Sequence, residues 1–168
     1  NSFRRELDRT IGISTSAENL RSMLESDFSE RVNPVQAYFH KLLPITGTQA
    51  IDELAATVTV HNARHWSEYL TKWLVGVVAN AMNDVGCQNH VCLVLTGEQG
   101  KFKTTWLDNL CPRSLASYLF TGKIDPQNKD VLTLVAEYLF INIDDQLKAL
   151  NKRDENELKN LITACLLY

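Results

Sequence analysis

No run of about eighteen apolar residues occurs in this sequence and no signal-peptide pattern opens it, so membrane insertion is not expected. Cysteine is scarce: Cys87, Cys92, Cys111 and Cys165 are the whole complement, and no two form a C-x-x-C pair. That argues against a zinc site and against a disulfide framework, and fits free thiols, buried or half-buried, in a reducing cytoplasm. A charge excess is missing too. Seventeen basic and 20 acidic residues leave a formal net charge of -3, which supplies no bulk attraction to nucleic acid or to an anionic membrane. Internal repeats and low-complexity segments are absent. So is an opening methionine; a start at Asn1 leads one to expect a piece cut from a longer protein.

What is present is an ordinary globular composition, 45% hydrophobic and 22% charged over 168 residues. That is enough for one domain with a core, with or without a small helical extension. Residues 1–87 read as a helical N-terminal region. Ser16 is a suitable N-cap for "AENLRSMLESD", and Asn33-Pro34 supplies a cap and a first-turn proline for "VQAYFHKLL". Pro44 and Gly47 then break the chain. The stretch "HWSEYLTKWLVGVVANAM" places Trp66, Tyr69, Leu70, Trp73, Leu74, Val77, Val78 and Ala81 at steps of three and four, a helical stripe expected to pack against another element. Asp84-Val85-Gly86 should end it.

The period changes in residues 88–168, which read as an α/β core. "VCLVLT" is a short apolar run, rich in β-branched residues, as expected of a strand buried on both faces. "GEQGKFKT" follows, then "TTWLDNL" as a helix stopped by Pro112. A second apolar run, "YLFINI", residues 138–143, ends on Asp144-Asp145. Asp154 with Glu157 reads as a capping box for "ENELKNLITACLL".

Strand, loop and helix in this order are the context that a phosphate-binding loop requires. The turn wraps phosphates with inward N–H groups, and the helix start faces them with its positive end. The pattern G-x-x-x-x-G-K-[ST] is matched by Gly97, Lys103 and Thr104, with Phe102 where the second glycine belongs. Gly97 and Gly100 give turn freedom, Lys103 the cation for the β/γ-phosphates, and Thr104 the hydroxyl for magnesium. If position 102 needs a positive φ, a side chain there costs about 1–2 kcal/mol, less than charge-assisted contacts to a triphosphate can return. The Phe102 ring could cover the nucleotide, but packing under the loop is the expectation. Asp144, at the end of the second apolar run, suits the magnesium acid, and Asp145 the residue that orients an attacking water. The alternative is that both acids cap the helix "QLKALNK".

These residues resemble the virulence-associated protein E family of P-loop ATPases, found in phage, plasmid and mobile-element replication modules. The resemblance runs from about Asn33 onward through "NPVQAYFHKLL", "HWSEYLTKWLVGVVANAM", "LVLTGEQGKFKTTWLDNLCP", "FINIDDQLKAL" and "NELKNLIT". It implies an α/β fold, a P-loop NTPase core similar to helicase-type AAA+ ATPases, preceded by a helical region. It also implies ATP and Mg2+ as cofactors. The nucleotide would lie along Gly97, Glu98, Gln99, Gly100, Lys101, Phe102, Lys103, Thr104 and Thr105. Thr104 and Asp144 would take the metal and Asp145 the catalytic role. Lys159 matches a family lysine, with a solvated helix face as its alternative reading.

In such ATPases a strand bearing a polar sensor residue inserts between the P-loop strand and the magnesium-acid strand, and arginines follow. The chain stops at Tyr168 before any such segment, so an ATPase fragment with an incomplete sheet is expected, inactive alone. Nucleic acid and homo-oligomerisation would belong to the longer parent. Two other readings remain. One is a different P-loop enzyme such as a small-molecule kinase, although no arginine-rich lid is visible. The other is a catalytically weak interaction module, which the departures at Phe102 and Asp145 keep open.

Overall fold

Serine and asparagine side chains start the second and third helices. In the computed structural model, which describes residues 2–27, 30, 32–83, 91–125, 128, 130–144 and 152–163, the chain divides into two compact units, 1–37 and 38–168. The first contains α1 (Ser2–Ile11) and α2 (Ala17–Leu24). Ser16 caps α2 as expected, its hydroxyl accepting from the Asn19 N–H at 3.0 Å. Helix α3 (Pro34–His40) spans the boundary between the units and opens on Asn33, whose Oδ1 accepts from Val35 at 3.0 Å and Gln36 at 3.2 Å.

The second unit holds α4 (Gln49–Ala56), α5 (Ala63–Ala81), α6 (Lys103–Asp108), a 3-10 helix (Arg113–Tyr118), β1 (Leu119–Gly122), α7 (Val131–Glu137), β2 (Phe140–Ile143) and α8 (Lys152–Thr163). The long aromatic-rich helix is α5. Leu70 is its fully buried residue, at 0% exposure, and Trp66 Nε1 donates to the Ala55 carbonyl of α4 at 3.0 Å. Tyr69 and Val78 of the expected stripe stay exposed, so the buried face is narrower than the apolar pattern. The helix ends at Ala81 with Met82 as its cap. The Asp84-Val85-Gly86 stop and the division near residue 88 lie outside the described residues.

β1 and β2 pair in parallel, with Thr121 opposite Asn142 and Gly122 opposite Ile143. Alternation along the strands sends successive side chains to opposite faces. On one face, Phe120 and Ile143 pack on a core of Ile124, Val131 and Leu158, which brings in α7 and α8. On the other, Phe140 meets Trp73 of α5 at a ring separation of 6.0 Å, and Asn142 reaches α6. The small parallel sheet is thus covered by helices on both sides, the arrangement parallel sheets require. No described helix is long and apolar enough to cross a membrane.

Three sequence expectations change. Residues 91–96 form no strand, and Val91 and Val94 are exposed rather than buried on both faces. An apolar β-branched run has the propensity for a strand, but a strand also needs a ladder to a neighbour, and the described sheet consists of β1 and β2. Helix α8 is already under way at Lys152, so Asp154 lies inside it instead of capping it. The Phe102 ring is 77% exposed and does not pack beneath its loop.

Candidate functional site

The loop from Gly97 to Phe102 turns through backbone shapes that few residues tolerate. Gly97 has φ 153° and Gly100 φ 80°, both favouring glycine. Phe102 follows at φ 55°, ψ 27°, in the left-handed region, and it alone among the described non-glycine residues has a positive φ. Position 102 therefore does require the conformation for which the usual pattern carries glycine. Phe102 is also the N-cap of α6, and its carbonyl accepts from the Trp106 N–H at 2.9 Å.

The chain entering α6 in this way turns Lys103 and Thr104 to opposite tasks. Lys103 Nζ folds back over the loop and donates to the carbonyls of Gly97 at 3.2 Å and Glu98 at 2.7 Å. Thr104 Oγ1 instead donates to Asp144 Oδ1 at 2.9 Å, across 40 residues of sequence. Lys101 lies outside this group, in an exposed ion pair with Glu98 at 3.7 Å. Gln99 and Thr105 are exposed on the loop and the first turn. Asp145 lies outside the described residues. Lys159 pairs with Glu155 at 2.7 Å on the exposed face of α8, as a solvated helix face would have it.

Behind Thr104 sits a polar network that the sequence reading did not single out. Asn142, 8% exposed, is the buried polar residue among those described. Its Nδ2 donates to Asp108 Oδ1 at 2.7 Å and to the Thr104 carbonyl at 3.3 Å. Asp108 Oδ1 also accepts from Thr121 Oγ1 at 2.6 Å, so α6 is tied to both strands. One signal was available: an asparagine in the run "YLFINI" is a polar residue where apolar ones are expected, and period-two alternation puts it on the face of Asp144. On the outer side of α6, Trp106 Nε1 donates to Thr57 Oγ1 at 2.8 Å and its ring lies 6.0 Å from Trp66.

A hydroxyl and a carboxylate in contact are hard oxygen donors of the kind magnesium takes. Among the described residues no group of three or more His, Cys, Asp or Glu could hold a metal ion. A cation here would therefore take few protein ligands and complete its shell with water or phosphate, which is how magnesium is usually bound. The cysteines that are described are free thiols, Cys92 exposed and Cys111 buried; burial pushes the Cys111 thiol up from its ordinary range.

A family model for the virulence-associated protein E-like domain matches residues 41–166. No curated protein and no solved structure gives a significant match.

Proposed function

The chain belongs to the virulence-associated protein E-like family, a family associated with phage and mobile-element replication, and from that premise we propose that it is the nucleotide-binding core of a replication-type P-loop ATPase. The observation that carries the reading is the Thr104–Asp144 hydrogen bond of 2.9 Å. Sequence patterns picked these two residues independently, one after a lysine in a loop and one at the end of an apolar run. Their contact is what a shared magnesium site requires.

Each residue then has a task. The loop N–H groups and those of the first turn of α6, which lack intrahelical partners, face the phosphates. Lys103 exchanges the Gly97 and Glu98 carbonyls for β/γ-phosphate oxygens. Loop carbonyls hold an ammonium less strongly than a polyphosphate does, because both partners are then charged. Thr104 and Asp144 would hold Mg2+, which when bound supplies positive charge at the phosphate oxygens. Asp145, next in sequence, is assigned the orientation of the attacking water. Nucleic acid and further copies of the chain are the partners this reading implies.

The test is calorimetry of Mg-ATP on folded Lys103→Ala. Loss of most of the affinity is expected, because the main cation at the phosphates is deleted. Unchanged binding would remove the reading.

A further inference from the structure

Thr104 is held at two points by two side chains, one in β2 and one directly after it. Asp144 accepts from its hydroxyl and Asn142 donates to its carbonyl, and these two residues are separated by Ile143, the last residue of β2, alone. An amide in a buried strand position costs roughly 1–3 kcal/mol when it lacks partners, so an apolar residue would be the simpler occupant. Here the Nδ2 group is used twice, on Thr104 and on Asp108, and Asp108 is itself steadied by Thr121. The result fixes the start of α6 in height and rotation over the end of β2.

Resting on the nucleotide reading above, the geometry points to Asn142 as a positioning residue that sets the Thr104 hydroxyl against Asp144 and thereby makes nucleotide binding selective for magnesium. Magnesium demands near-ideal octahedral geometry at about 2.0–2.1 Å, whereas calcium accepts longer and irregular ligation. Two protein oxygens on different elements meet the stricter demand only if the elements are locked together. A tilt of α6 by a fraction of an ångström harms the magnesium complex first. Neither Asn142 nor Asp108 touches the cation in this scheme; both act through Thr104.

The experiment measures ATP affinity by calorimetry in magnesium, in calcium and in EDTA, with the thermal midpoint of each protein recorded without nucleotide. Asn142→Leu and the milder Asn142→Ser are expected to lose roughly tenfold in magnesium, about the value of a hydrogen bond to a charged group. They should lose less in calcium and almost nothing in EDTA. The exchange Asn142→Asp with Asp108→Asn rebuilds the bond between 108 and 142 but turns a carboxylate toward the Thr104 carbonyl. Its thermal midpoint should recover while the magnesium deficit persists. A uniform loss in all three conditions, no loss, or full recovery in the exchanged protein would overturn the inference and leave Asn142 a structural residue. Absence of cation-dependent ATP binding in the unaltered chain would overturn the nucleotide reading, and this inference with it.

Discussion

Replacing Phe102 by glycine should stabilise the protein, which is unusual for the loss of a large hydrophobic side chain. The backbone at 102 is left-handed, φ 55°, where a side chain costs about 1–2 kcal/mol. The ring is 77% exposed, so its removal forfeits little burial. Glycine has a cost of its own, roughly 0.5–1 kcal/mol of extra chain entropy lost on folding. The balance is a gain of about 0.5–1 kcal/mol. For a protein of this size each kcal/mol moves the thermal midpoint by about 2–4 °C. Phe102→Ala is the control, because it deletes the ring and keeps the Cβ that strains the backbone; it should lie within about 0.5 kcal/mol of the unaltered protein. Urea titration of the three proteins separates the two effects. Alanine costing more than about 1 kcal/mol would mean the ring supports the fold. Glycine no better than alanine would mean the position carries no strain. Glycine adopts whatever backbone shape the loop requires. ATP binding by Phe102→Gly should therefore persist, and a several-fold fall would mean that the ring covers the nucleotide.

Three further outcomes are expected. Leu70→Ala, at the fully buried position of α5, should cost about 2–5 kcal/mol by urea denaturation, and a cost below 1 would mean that α5 is loosely packed. Thr104→Ala should weaken the magnesium dependence of ATP binding more than the binding itself, and an unchanged magnesium dependence in calorimetry would contradict the metal role of this hydroxyl. Hydrogen bonds from Ser67 and then Thr48 hold the Asp52 carboxyl below its ordinary range, so their stabilisation is full above that range and is lost as pH falls through the lowered value. Ser67→Ala should accordingly unfold at a higher pH on the acid side, and an identical acid limb would show that the bond contributes nothing.

Features governed by neighbours in sequence were legible in advance. Caps at Ser16 and Asn33, the helix of Trp66 and Trp73, and the strand "FINI" each follow from propensity and period over a few residues. Thr104 and Asp144, each assigned to the magnesium from sequence because phosphate chemistry restricts which residues end a strand and start a helix, lie in hydrogen-bond contact. Features governed by distant partners were not. Residues 91–96 carry a strand's composition, yet pairing is decided by what lies alongside. β1 is only "LFTG", too short and too mixed to announce itself, and exists through its ladder to β2. Asn142, Asp108 and Thr121 are unremarkable polar residues until α6 and the two strands bring them together.

The opposition of Asn142 to Thr121 also guards the strand pairing itself. Many short parallel strands are apolar on both faces, and nothing in their side chains distinguishes the correct alignment from a slip of one place. β2 is different. Moving it by one residue would turn Asn142 and Asp144 over to the side of Ile124, Val131 and Leu158, leaving an amide and a carboxylate in hydrocarbon and two isoleucines facing α6. A mispaired chain would be penalised twice, so Asn142 and Asp144 also act against misalignment during folding.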